Sequence, residues 1–168
     1  GYTVSECEKE TFGTDIILTI KPDEEGEDYS RFLHTDYLKS LVKRYSDFIR
    51  WPIVISGETV NSRIPIWQRS KSEVSDEDCA AFYKETFHDY TDPVGIIRAN
   101  AEGQVSFKAM LFIPASIPFD YYTASYTPGL RLYSGGVMIM ENCADLLPDC
   151  FRFVRGVVDS PDLSLNIS

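Results

Sequence analysis

The sequence reads as an α/β or α+β domain built on a mixed sheet. Three observations lead there. Short β-branched or alternating stretches interleave with stretches whose apolar residues recur every three or four positions, the respective signatures of strand and helix. Breaker and turn residues (Pro22, Pro52, Asp92-Pro93, Glu102-Gly103, Gly135-Gly136) separate them. A chain of 168 residues, 43% hydrophobic and 25% charged, suits one ordinary domain whose core needs neither metal nor disulfide.

Taken in order, residues 14–21 are rich in β-branched side chains and predict a strand that Pro22 ends. Asp23-Glu24-Glu25-Gly26-Glu27-Asp28 repels itself and resists packing, so it reads as a solvated linker and a domain boundary. From Tyr29, the positions Phe32, Leu33, Leu38, Leu41, Val42, Tyr45, Phe48 and Ile49 predict an amphipathic helix. Pro52 disfavours helix at Trp51. Ile53-Val54-Ile55 reads as a buried strand and 59–66 as a second one, running into Trp67. Ser75, with Asp78 three residues on, forms a capping box with Asp in place of Glu; Cys79, Phe82, Tyr83 and Phe87 then stripe a helix that Asp92-Pro93 breaks. Residues 94–99 and 104–114 read as a hairpin turning at Glu102-Gly103. Polar residues in its second strand end at Lys108, so the far half is expected to be covered on both faces. Residues 114–128 are irregular and aromatic. Residues 130–133 and 137–140 are strand-like, Asn142 is expected to cap a short helix through Cys150, and 151–158 returns as a strand.

Charge and cysteine content exclude some classes. The net charge of -10 argues against non-specific nucleic-acid binding, which rests on Lys and Arg neutralising phosphates. Nine acids against Lys9 and Lys21 crowd residues 1–28. No apolar run reaches the roughly 18 residues a membrane span needs, and no signal peptide opens the chain. Cys7, Cys79, Cys143 and Cys150 show no Cys-x-x-Cys spacing, and His34 and His88 are not at metal-ligand spacing. Cys79, Cys143 and Cys150 sit among apolar residues and read as small core hydrophobes; the compartment reads as reducing cytoplasm. There is no phosphate-binding Gly-rich loop, no His-Glu-x-x-His and no Gly-x-Ser-x-Gly. His88-Asp89 is a weak acid–base candidate, because adjacent helix residues do not face each other. No catalytic residue and no metal ligand is assigned.

Several words, in order along nearly the whole chain, resemble the middle domain of the heat shock protein 90 chaperones. They are Tyr45-Ser46-Asp47-Phe48-Ile49, Pro65-Ile66-Trp67, Phe82-Tyr83-Lys84, Leu111-Phe112-Ile113-Pro114, Pro118-Phe119-Asp120 and the stretch from Phe153 to Ser168. Gly135-Gly136 stands where the eukaryotic pattern has two arginines, which is similar to the bacterial, high-temperature-protein-G branch. The resemblance implies a layered α/β (α+β) sandwich with a mixed sheet and flanking helices. Residues 1–22 would be a remnant of the closing strands of an upstream ATP-binding domain, 23–28 the linker, and 29–168 the middle domain, truncated at its C-terminal side.

The same resemblance implies an ATP-driven, homodimeric, cytoplasmic chaperone acting on non-native client proteins. Its ATP and Mg would be bound by the upstream domain, with no cofactor in this chain, no nucleic acid and no membrane. The family's ATP-contacting arginine would directly follow Ser168, so this chain alone is expected not to hydrolyse ATP. Client contacts are implied at Trp67, and the aromatics Phe119, Tyr121 and Tyr122 of an irregular loop are candidates for the same role. Trp67 is read either as an exposed contact residue or as an aromatic lid over the second helix. The loop is read either as a contact surface or as folded back on its own sheet. Met138, Leu163 and Leu165 match positions where the upstream domain docks, with plain strand core as the other reading for Met138. A non-enzymatic module that binds clients or partners without contributing to ATP turnover is the alternative function.

Overall fold

The computed structural model describes residues 3–162. A five-stranded mixed sheet carries the fold, in the order β3-β4-β7-β5-β6, where β3 is Gly95–Ala101, β4 Phe107–Ile113, β5 Leu130–Ser134, β6 Val137–Cys143 and β7 Arg155–Asp159. The β3–β4 and β5–β6 hairpins are antiparallel, as is β4–β7; β7 runs parallel to β5 and joins the two hairpins.

Alternation along β4 explains the layers. Met110 and Phe112 point into one core with Trp67, Cys79, Tyr83, Tyr133, Met138 and Val157. Ala109 belongs to a second core on the other face with Leu130, Leu132, Cys143, Val154 and Val158, and Leu111 packs against it. The expected two-sided cover of the far half of this strand is therefore present. Helix α2 (Asp76–Phe87) covers the first face. Its N-terminus has the capping box: Asp78 N–H donates to Ser75 Oγ at 3.1 Å, and Ser75 N–H donates to Asp78 Oδ2 at 3.0 Å. Such a cap contributes roughly 1 kcal/mol. The second face is covered by two 3-10 turns, Ala144–Leu146 and Asp149–Phe151, with Leu146, Leu147 and Phe153 packed inward.

Several expectations are corrected. Residues 14–21 form no strand, and Ile16, Ile17 and Leu18 are exposed; a lone strand cannot satisfy its backbone without neighbours. The single helix expected over 29–49 is instead a 3-10 turn (Ser30–Leu33), separated by extended His34 (ψ 123°) from α1 (Thr35–Leu41), which runs on into a π turn (Val42–Ser46). The strands expected at 53–55 and 59–66 shrink to β1 (Val54–Ile55) and β2 (Glu58–Thr59), joined through Ser56-Gly57, both with positive φ, and Val54 is exposed. A two-stranded hairpin has no sheet to bury it. α2 stops at Phe87, with His88 left-handed at φ 55°, before Asp92-Pro93 is reached. Asn142 lies inside β6 and caps no helix, and the last strand begins only at Arg155 because 149–151 is a 3-10 turn. Cys150 is exposed on that turn, whereas Cys79 and Cys143 are buried.

Candidate functional site

Three surfaces are built on this frame, beginning with the turn before α2. Pro65 is extended and Ile66–Gln68 makes one 3-10 turn, from which Trp67 enters the core on the sheet's first face. Its ring centroid lies 4.7 Å from Phe48, 5.0 Å from Tyr133 and 5.8 Å from Phe82. Trp67 is only 6% exposed, so the exposed-contact reading is corrected and the aromatic lid describes it. Three rings, from α2, β5 and the turn after the π turn, converge on it, and aromatic pairs at these distances favour burial beyond area alone. Met138, also 6% exposed, joins the same core from β6, so its strand-core reading describes its position.

Above this aromatic floor lies an open cleft of about 900 Å³, between the π turn, α2 and the β5–β6 hairpin. Met138, Phe48 and Tyr133 form part of its base; Lys43, Arg44 and Glu85 are among its charged walls. Arg44 donates to Glu141 Oε2 at 2.6 Å, and that hydrogen bond raises the guanidinium pKa further above its ordinary value. Arg131 donates to Thr86 O at 2.9 Å at the end of α2 and stacks over Phe87 at 5.2 Å. Burial pushes the Tyr133 phenol up. The hairpin turn closes one end of this region: Gly136 has φ +85°, and a Cβ there would lie 2.1 Å from Phe48 O. Only glycine permits both that dihedral and that approach.

The aromatic loop is separate. Phe119 and Tyr122 are fully or almost fully exposed, at 101% and 85%. Tyr121 is half-buried and rests on Tyr126 at 5.1 Å. Arg152 stacks over both Tyr121 and Tyr126 at 5.2 and 5.1 Å, Arg155 stacks over Tyr126, and Tyr126 Oη donates to Arg152 O at 2.8 Å. The loop is thus partly folded back through Tyr121 while presenting Phe119 and Tyr122 outward. Its ring contacts are with Tyr126, and those of Trp67 are with Phe48, Phe82 and Tyr133, so the structure groups Trp67 with Met138 and leaves the loop aromatics apart. Leu163 and Leu165 lie outside the described residues.

One residue escaped sequence reasoning. Asp159, at the end of β7, is buried, and its Oδ2 accepts from Trp67 Nε1 at 3.1 Å and Gln68 Nε2 at 2.7 Å. A lone acid directly after Val157-Val158 was the available signal. His88 is the left-handed C-cap of α2, and Asp89 is engaged elsewhere. Asp89 accepts from Tyr83 Oη at 2.5 Å and from Thr91 N–H and Oγ1, which holds its carboxyl below the usual range, chiefly through the Tyr83 bond. Among the described residues no group of three or more His, Cys, Asp or Glu side chains is placed to hold a metal ion.

Fold and surfaces together define a mixed-sheet domain that offers a charged cleft on one side and an outward aromatic loop on another. The Hsp90 protein family model matches residues 54–168, and the chain belongs to that family. Over its whole length it is 52% identical to the chaperone protein HtpG of Natranaerobius thermophilus and 48% identical to those of Clostridium perfringens and Bacillus velezensis. It spans about 30% of the length of these relatives. The solved middle domain of a heat shock protein from Plasmodium falciparum is 36% identical, superposes with a TM-score of 0.55, and covers 60% of this chain and 42% of its own. The fold is that of an Hsp90 middle domain.

Proposed function

We propose that this chain is the middle segment of an ATP-dependent Hsp90 chaperone, binding non-native clients and completing the ATPase of an upstream nucleotide-binding domain. The observation that carries the reading is the 52% identity to an HtpG chaperone across the whole chain. Residues 1–22 are assigned to the upstream domain, 23–28 to the linker and 29–168 to the middle domain. The whole protein is a cytoplasmic homodimer whose Mg-ATP sits upstream. In support of client binding, Phe119 and Tyr122 project from a loop held by the Tyr121–Tyr126–Arg152 stack, so large apolar area is displayed at small entropic cost. Trp67 contributes through the turn it anchors. The upstream domain docks along the cleft that has Met138 at its base, together with Leu163 and Leu165 of the terminal segment.

The arginine that the family resemblance puts directly after Ser168 would act by preorganised electrostatics on the transferring phosphoryl group, an effect worth on the order of 10²–10³ in rate. The test follows ATP turnover by the upstream domain joined to this chain, ended at Ser168 or continued through the next residues. In parallel, suppression of a heat-denatured client's aggregation is compared with that of the Phe119→Ser, Tyr122→Ser double variant. Expected are faster turnover in the continued form alone, and loss of client protection in the double variant with unchanged circular dichroism. Equal turnover with retained client protection would leave a non-enzymatic interaction module.

A further inference from the structure

Asn100, Lys108 and Asp159 form a polar row across adjacent strands: Asn100 on β3 stands opposite Lys108 on β4, which stands opposite Asp159 on β7. Residues directly opposite each other in a sheet project to the same face. Two positions along lies the row Arg98–Met110–Val157, on that same face by alternation. There α2 covers the sheet: Cys79 Sγ accepts from Arg98 Nη2 at 2.6 Å, and Met110 and Val157 are buried. At the polar row the helix gives way to an open pocket of about 380 Å³, lined by Asn100, Lys108 and Asp159 together with Gln68 and the exposed Glu102.

Opposite charges facing each other across a ladder ordinarily attract and pair. Lys108 and Asp159 do not pair. Asp159 turns its Oδ2 to Trp67 Nε1 and Gln68 Nε2, at 3.1 and 2.7 Å. Among the described residues, no ion pair includes Lys108 or Asp159, and neither Lys108 Nζ nor Asp159 Oδ1 has a hydrogen-bond partner. The pocket thus holds an ammonium and a carboxylate oxygen rooted one strand spacing apart, about 5 Å, with neither charge neutralised. A simple cation would be repelled by Lys108 and a simple anion by Asp159. A molecule carrying both charges on neighbouring atoms satisfies both groups through charge-assisted hydrogen bonds. Glu102 adds attraction for the cationic end, and the Asn100 amide offers a neutral donor and acceptor. We propose that this pocket binds the zwitterion of a free α-amino acid, its ammonium on Asp159 Oδ1, its carboxylate on Lys108 Nζ, and its side chain toward the open mouth.

The test is saturation-transfer NMR on the full-length protein carrying this chain, titrated with L-alanine, N-acetyl-L-alanine, L-alaninamide and the doubly blocked N-acetyl-L-alanine N-methylamide. L-alanine is expected to bind with a Kd on the order of 1 mM, as befits so small a ligand in an open pocket, and each singly blocked compound about 10-fold more weakly. Lys108→Met, which keeps the aliphatic stem, is expected to abolish the advantage of L-alanine over L-alaninamide. Asp159→Asn, whose amide oxygen can still accept from Trp67 and Gln68, is expected to abolish its advantage over N-acetyl-L-alanine. The inference is overturned if L-alanine shows no binding up to about 20 mM, or if both variants bind all four compounds as the parent does, which would place the binding elsewhere. It is overturned equally if the doubly blocked compound binds as well as L-alanine, because the row would then recognise peptide backbone. If Asp159→Asn does not fold, Lys108→Met and the four-compound comparison carry the test.

Discussion

Replacing Trp67 by alanine removes a side chain that is 6% exposed and touches three rings far apart in sequence, Phe48, Phe82 and Tyr133. Truncating a buried Trp costs about 3–5 kcal/mol through lost transfer energy and the cavity left behind. The change also leaves Asp159 with Gln68 as its one remaining donor, and a buried polar group deprived of a partner costs roughly 1–3 kcal/mol more. These terms overlap, so about 5 kcal/mol is expected, comparable to the whole stability of many domains at roughly 5–15 kcal/mol. Urea denaturation of the 168-residue chain followed by far-UV circular dichroism measures it. Fluorescence gives an internal control, because Trp51 is 64% exposed and Trp67 is not: the variant should lose the blue-shifted component alone. A loss below about 1.5 kcal/mol, within the range of an ordinary partly exposed substitution, would refute the buried-lid geometry. The practical consequence is that failure of Trp67→Ala to bind a client would report unfolding, so Trp67→Phe is the variant for binding experiments.

Two further outcomes are expected. Gly136→Ala would set a Cβ 2.1 Å from Phe48 O at a φ of +85° and should lower stability by more than about 2 kcal/mol, whereas Gly135→Ala, with φ +61° and nothing within 4 Å, should cost only about 1 kcal/mol for the left-handed backbone; thermal melts of the two variants compare them. The Tyr83–Asp89 pair sets a pH window. The Asp89 carboxyl is depressed, chiefly by the Tyr83 hydrogen bond, so its contribution is present above the ordinary Asp value near 4 and is lost as pH falls through the depressed one. The Tyr83 phenol is raised, first by burial, so its contribution is present below about 10 and is lost as pH rises through the raised value. Melting temperature against pH should therefore plateau between these limits, and Tyr83→Phe should flatten both flanks; an unchanged acid flank would contradict the pairing.

Elements with complete local signals were legible in the sequence. Ser75 and Asp78 define a cap from four adjacent residues, and α2 follows them. The β3–β4 hairpin follows from alternation on either side of Glu102-Gly103, and β5–β6 from strand-like runs around Gly135-Gly136. The family words placed the domain among the Hsp90 chaperones, and the family match and the HtpG relatives agree. Less of the candidate site was legible: Phe119 and Tyr122 are outward, while the sequence leaves Trp67 open between an exposed contact and an aromatic lid, and burial decides for the lid.

Tertiary structure decided the rest, because burial and strand pairing depend on what arrives from far along the chain. β7 sits between β4 and β5, parallel to the latter, through contacts that no local window contains. Residues 14–21 have the composition of a strand but no sheet partner, so their propensity alone does not order them. Asp159 and Trp67 lie 92 residues apart, and each makes sense only with the other: the indole is buried where a carboxylate can accept its N–H, and the carboxylate is tolerated where two donors converge. Composition, periodicity and family words thus determined α2, the β3–β4 and β5–β6 hairpins and to whom the chain is related. Only the fold decided which aromatic became floor, which became surface, and which acid ties them together.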